Sequence, residues 1–281
     1  MKIIAEIISK ENFLRFDLDG YIFSYLSFYT MANQPMTITE LDDAVKLCHD
    51  HHKLAILKLD QWIEEKQLDL LHDFLTEIES VPFDYILFSD FSILHFYEQR
   101  ACLHKLIYTA KTLNCSLEDV SYWNDKQIKV VLSHEISLQD IEKITVLSNV
   151  VMDGYGYSTI FYSKRKLLSL FGEKYQANRH LNNQFFTIQE ENKREAYPII
   201  QNENGTFILS KERYGFIKEL LTVSDFYFYK IDTVKMNESE LTEIIQTIRF
   251  IVQHRQLPQL LPPHASPFLY QKNLVLKEDT E

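Results

Sequence analysis

Val151-Met-Asp-Gly-Tyr-Gly-Tyr-Ser-Thr-Ile-Phe-Tyr-Ser-Lys-Arg-Lys-Leu-Leu-Ser169 is where one pattern in the chain stops and another begins. Before it, short apolar runs alternate with amphipathic ones. After it, strand-like runs follow one another with little helix between. Two of the six glycines, Gly154 and Gly156, stand two residues apart here, a spacing that predicts a forced turn. Three consecutive cations follow, Lys164, Arg165 and Lys166, in a chain of net charge −11. The run reads either as a solvated helix end or as a place where an anion is held.

Working backward from that break, seven strands are expected. They are Ile3 to Ile8, Tyr21 to Phe28, Leu54 to Leu59, Asp84 to Phe88, Leu106 to Tyr108, Ile128 to Leu132 and Val146 to Met152. Helices lie between them. Thr39 with Asp42 imitates a capping box before Leu41, Ala44, Val45 and Cys48, which share one helical face. Leu70 to Ile78 forms a second helix, a third starts near Ser92, and Ser116 and Ser137 cap two more. Such alternation predicts βαβ units and a parallel sheet.

Working forward, Lys166 to Phe171 predicts a short helix stopped by Gly172. Gln184 to Gln189, Tyr197 to Ile200 and Thr206 to Leu209 predict three antiparallel strands, with Asn204-Gly205 as a hairpin turn. Ser210 then opens a helix through Leu221, Asp225 to Ile231 is an eighth parallel strand, and Glu238 to His254 is a long helix. Four prolines between Pro258 and Pro267 forbid more helix, so residues 256–281 read as an extended Pro-rich tail over the surface. The expectation is one domain over 1–281: an α/β TIM-like (β/α)8 barrel with an antiparallel β insertion, residues 154–210, after strand seven.

Composition narrows the class. Apolar residues at 46% and charged residues at 25% are ordinary for a globular protein, and 13% aromatics predict a large core or a sticky surface. Cys48, Cys102 and Cys115 show no metal-binding spacing and predict buried thiols in a reducing cytosol. Glu6 interrupts the apolar N-terminus, which therefore does not read as a signal peptide, and no apolar stretch is long enough for a membrane span. A cytoplasmic protein is expected. Residues 162–215 hold nine Lys/Arg and six Glu, a local balance of +3 that leaves −14 on the remainder.

Barrels of this kind carry their sites at the C-terminal ends of the strands. Asp60, Asp90, Glu135, Asp153 and Asp232 fall at or just past such ends. Convergent carboxylates do acid/base work or bind a metal, but Asp is equally favoured as the N-cap of the next helix. Glu135 and Asp90 are the catalytic candidates, and Glu135 is the less cap-like because Ser137 is better placed for that role. His49, His51 and His52 end a helix without HExxH spacing, so no metal site is expected there. No GxSxG, P-loop or GxGxxG motif is present.

The opening stretch with its flanks resembles the collagenase-like peptidase U32 family. The resemblance is carried by Phe83-Asp-Tyr-Ile-Leu-Phe-Ser-Asp90, Lys105-Leu-Ile-Tyr-Thr-Ala-Lys-Thr-Leu113, Val130-Val-Leu-Ser-His-Glu135 and Tyr162-Ser-Lys-Arg-Lys-Leu-Leu-Ser169. Tyr197-Pro-Ile, Asn204-Gly-Thr-Phe-Ile-Leu-Ser210 and Phe268-Leu-Tyr-Gln-Lys continue it in order. It implies a TIM-like barrel and work in RNA or small-molecule modification, including tRNA wobble-uridine hydroxylation with prephenate. It also implies, for many members, an iron–sulfur cluster on four cysteines. Here Thr159 and Lys166 stand at the two signature cysteines, and no downstream pair exists between Phe171 and Tyr197. Thr and Lys supply no thiolate, so no cofactor is expected.

The resemblance thus implies an accessory, non-catalytic subunit in tRNA wobble-uridine 5-hydroxylation beside a cysteine-bearing paralogue. Tyr162, Ser163, Lys164, Arg165 and Lys166 are then the expected substrate or RNA contacts. A collagenase-like hydrolase using the rim carboxylates and an inactive scaffold remain the alternatives.

Overall fold

Among residues 1–110, 114–175, 181–189, 191 and 194–271, which the computed structural model describes, seven parallel strands run in chain order. They are β1 (Lys2–Glu6), β2 (Gly20–Ser24), β3 (Leu54–Leu59), β4 (Tyr85–Phe88), β5 (Leu106–Tyr108), β6 (Lys129–Val131) and β7 (Val150–Gly156). Four antiparallel strands follow: β8 (Thr159–Ser163), β9 (Phe185–Gln189), β10 (Ala196–Asn202) and β11 (Gly205–Leu209). Then come β12 (Tyr214–Gly215) and β13 (Phe228–Ile231). β13 pairs in parallel with both β7 and β1, and β6 pairs with β7, so eight parallel strands close into a barrel. The small sheet has the order β8-β11-β10-β9. Residues 111–113 of the Lys105–Leu113 block and 272–281 of the tail lie outside the described residues.

Among the described residues the α-helices are α1 (Ile38–Asp50), α2 (Leu68–Ile78), α3 (Phe91–Glu98), α4 (Leu117–Asp125), α5 (Leu138–Ile144), α6 (Leu167–Lys174) and α7 (Glu238–His254). α1 is capped by Thr37 with Glu40, two residues earlier than the Thr39–Asp42 expectation. Both pairs have the right spacing, but the longer Glu side chain reaches back to the N-cap amide. No helix among the described residues is long and apolar enough to cross a membrane.

Successive side chains of a strand point to opposite faces. Ile4, Ile22, Ile56, Leu87, Ile107, Val131, Val151 and Phe228, one from each barrel strand, form a single apolar layer inside the barrel. Two residues further toward the C-terminal ends, the same face of each chain segment carries Glu6, Ser24, Lys58, Ser89, Thr109, Ser133, Asp153 and Lys230. Every member of that second layer is polar. The barrel therefore has an apolar plug beneath a polar floor, and the floor faces the end where sites are built.

Several local expectations are corrected. Gly154 and Gly156 lie inside β7 and make no turn. A Cβ on Gly154 would stand 2.0 Å from Tyr229 Cζ, and Gly156 has φ 146° with a would-be Cβ 2.5 Å from Asp232 Cβ. The glycines answer close approach from β13 and the residue after it, which lie more than 70 positions later in the chain. Strand seven begins at Val150, four residues after the expected start.

The expected helix from Ser210 to Leu221 is instead β12, antiparallel on β7, followed by a 3-10 turn at Lys218–Leu221. Ser210 does not cap: its Oγ accepts from the Ser158 amide (3.1 Å) and donates to the Glu212 carbonyl (2.7 Å). Gly172 lies within α6 and does not stop it. The signature itself supplies β8, so the small sheet has four strands where three were expected.

Candidate functional site

The polar floor opens into a cavity of about 560 Å³ at the C-terminal end of the barrel. Its far wall is the start of the small sheet, through Tyr157, Ser158, Thr159 and Ile160, and the tail closes one side through Ala265, Pro267 and Phe268. The tail is therefore packed against the mouth: the Gly215 amide donates to the Ala265 carbonyl, the Leu138 amide to that of Leu269, and Leu269 is buried.

Two lysines organise the floor. Lys58 Nζ donates to Glu6 Oε2 (2.5 Å) and to the Met31 carbonyl (2.5 Å). Lys230 Nζ donates to Asp153 Oδ1 (2.6 Å). Asp60 accepts from the Thr30 amide (2.8 Å) and hydroxyl (2.7 Å), and Asp232 Oδ1 accepts from the Val234 amide (2.9 Å). Four carboxylates thus share two ammonium groups. Burial pushes the Glu6 carboxyl up despite the pull of Lys58. Burial works against the charge of Lys58, but Glu6, Asp60 and Asp232 together hold its ammonium above the usual value. Lys230 is raised likewise, burial being outweighed by Asp153 and Asp232.

His134 joins this floor to the wall. Its Nδ1 is bonded to the Ser158 hydroxyl, its Nε2 lies 3.0 Å from the Asp153 carbonyl, and its ring stacks on Tyr214 at 4.0 Å. Burial lowers its pKa, more strongly than the Asp153 carboxylate raises it. The neutral imidazole with one donor and one acceptor suits those two partners.

The predicted site residues divide. Asp60, Asp153 and Asp232 converge on the mouth. Asp90 does not line it: one oxygen caps α3 through the Ser92 amide (2.9 Å) and the other accepts from the Ile63 amide (2.8 Å). Glu135 lies exposed on the rim, and its carboxylate makes no ion pair among the described residues. Tyr162 is half-buried, stacked on Phe207 at 4.8 Å and donating to the Asn204 carbonyl (3.1 Å). The Ser163 hydroxyl accepts from the Arg165 amide (3.2 Å). Lys164, Arg165 and Lys166 are exposed and do not line the cavity; Lys164 reaches Glu64 at 3.3 Å.

Glu6, Lys58, His134 and Lys230 were absent from the expected site. For Glu6, Lys58 and Lys230 the signal was a lone charge inside an apolar strand, as in Leu54-Ala-Ile-Leu-Lys-Leu59, at a position of the inward parity; His134, past the end of β6, had no such signal.

The residues present do not fit an iron–sulfur cluster. Of the three thiols expected to be buried only Cys48, on α1, is so; Cys102, before β5 at the opposite end of the barrel from the mouth, and Cys115, after β5 and before α4, are half-buried. None of the three lines the cavity. They stand on separate elements, and the thiols of Cys48 and Cys115 are raised by burial, Cys48 to about 12. A cluster needs converging thiolates.

The profile of peptidase family U32 matches residues 26–256. The chain is 23% identical over 219 residues to tRNA hydroxylation protein P2 of Bacillus subtilis (strain 168), covering 75% of this chain and 71% of that one. Among solved structures, it is similar to a U32 peptidase with a TM-score of 0.46 and 10% identity, over 83% of this chain and 92% of that one. A chitinase from Chromobacterium violaceum ATCC 12472 gives a TM-score of 0.40 and 8% identity, over 88% and 98%. At these scores neither adds to what the strand order already establishes.

Proposed function

The chain belongs to peptidase family U32, and we propose that within it this protein is an accessory subunit of tRNA wobble-uridine 5-hydroxylation, paired with a cysteine-bearing paralogue. The observation that carries the reading is the state of the mouth. Its lysines are pinned between carboxylates, both nitrogens of His134 are engaged, and no thiol lines it. Groups held this way lock a structure; a general acid or base needs a proton free to move to substrate. The likeness to a tRNA hydroxylation protein supplies the process.

The test is a strain lacking the gene. Nucleoside mass spectrometry of its tRNA should show wobble 5-hydroxyuridine lost, and the tagged protein should bring down a four-cysteine U32 paralogue. Intact 5-hydroxyuridine would overturn the reading. A hydrolase reading would instead rest on Glu135, the exposed rim carboxylate. Glu135→Gln should therefore leave tRNA modification unchanged, and loss of modification in that variant would favour chemistry at the mouth.

A further inference from the structure

We infer that the outer face of the small sheet, beside α6, is a platform for unpaired RNA. The inference rests on the tRNA reading above and says where the RNA lies: on the sheet, away from the barrel mouth.

Strand register divides the sheet into two faces. Tyr162, Phe207 and Ile200 occupy one row, and they pack with Met31, Leu209 and Val234 as the contact with the barrel. The neighbouring row, Phe161, Ile208, Ile199 and Phe186, therefore points the other way. α6 lies over one end of that outer face. Its Leu167 amide donates to Thr206 Oγ1 (2.9 Å) and its Ser169 amide to Gln201 Oε1 (3.1 Å), which are in the row two residues away.

Of that row only Phe161 stays exposed; Ile208 and Phe186 are half-buried and Ile199 is buried. Phe161 is 43% exposed; Phe171 on α6 is 60% and Tyr175, the residue after it, 59% exposed, the last two rings 4.6 Å apart. A packed barrel has no need of such rings in water, and the exposed Phe171–Tyr175 pair beside Phe161 is apolar surface available to a partner.

The charge beside the rings selects the partner. Lys164, Arg165 and Lys166 join β8 to α6 directly at the edge of this face, and all three are exposed. Arg165 and Lys166 make no ion pair among the described residues, and Lys164 makes an exposed one with Glu64. In a chain of net charge −11, three adjoining cations form a local field of opposite sign. Aromatic faces for base stacking next to cations for phosphates is the arrangement that holds single-stranded nucleic acid. Sequence-specific RNA recognition reaches unpaired loops, because only splayed bases can stack on a side chain.

The experiment measures binding of an unmodified tRNA transcript with a wobble uridine by the full-length chain, alone and with its co-purified paralogue. A fully paired RNA duplex serves as comparator. The tRNA should bind more tightly than the duplex. Lys164→Ala/Arg165→Ala/Lys166→Ala should weaken binding about tenfold or more and flatten the slope of log affinity against log salt by about 2. Phe161→Ala/Phe171→Ala should weaken it about tenfold without changing the salt slope. These side chains are exposed, and unchanged melting curves would certify the fold.

No tRNA binding in either setting, equal affinity for the duplex, or affinity unmoved by both variants would overturn the inference. So would aromatic variants that abolish pairing with the paralogue while tRNA affinity stays constant, since the face would then be a protein interface. Intact binding in a chain whose deletion spares 5-hydroxyuridine would sink the proposed function and leave the platform standing.

Discussion

The mouth of the barrel and the outer face of the small sheet use the same residue types in opposite ways. In the mouth, Lys58 and Lys230 are hydrogen-bonded to Glu6 and Asp153, and the charges of Asp60 and Asp232 add to the hold on them. On the sheet, Lys164, Arg165 and Lys166 stand in water with one exposed ion pair among them. A buried charge must be matched within the molecule, because desolvation is costly. An exposed charge costs little and is available to something else. Charge in the mouth should accordingly govern stability, and charge on the sheet should govern binding.

The sharpest way to break that contrast is Lys58→Met. It leaves Glu6 buried without its partner, and removing one member of a buried pair typically costs about 3–5 kcal/mol. Urea denaturation should show a loss of that order. Glu6→Gln/Lys58→Met should recover a large part of it, because the uncompensated charge goes as well. A double variant no more stable than the single one would show that the pair is not the dominant interaction of Lys58.

Next in size is Gly154→Ala. Its Cβ would meet the Tyr229 ring, whose hydroxyl donates to the Gly154 carbonyl (2.8 Å). Overpacking of this kind costs about 1–3 kcal/mol, and the midpoint of thermal unfolding should fall accordingly. An unchanged midpoint would mean that β7 and β13 are not in such close contact.

A smaller effect is expected from pH. His134 is held neutral by burial, so its folded pKa lies below that of the unfolded chain. Below about pH 6.5 the unfolded state binds the extra proton first. The contribution of His134 is therefore complete above that pH and is lost as pH falls toward the folded value. His134→Gln should reduce the acid sensitivity of the melting temperature in that window. The smallest effect belongs to the sheet: Lys164→Ala/Arg165→Ala/Lys166→Ala should change stability by no more than about 0.5 kcal/mol, whatever it does to RNA.

The same division explains what could be read from the chain. The barrel was legible because each strand is a compact apolar run and each helix has an apolar face, both of which are local patterns. The cation run at Lys164 was legible because its members are adjacent. Asp153 was legible at its strand end, but the rest of the floor was not, because Glu6, Lys58 and Lys230 are each a single charge in a separate apolar segment. Only closure of the barrel brings them together.

Gly154 and Gly156 misled for a related reason. Glycine marks a tight turn and a close approach alike, and what approaches here is Tyr229 and Asp232 from much later in the sequence. Asp90 looked like its neighbours Asp60 and Asp153 in sequence, yet it serves the first turn of α3 and the Ile63 amide.

The most direct test of the central contrast is complementation of a strain lacking the gene, with wobble 5-hydroxyuridine quantified by mass spectrometry at matched protein levels. Glu6→Gln/Lys58→Met should restore the modification, and Lys164→Ala/Arg165→Ala/Lys166→Ala should not. A mouth variant that is folded but fails to restore it, with a sheet variant that restores it fully, would contradict the account.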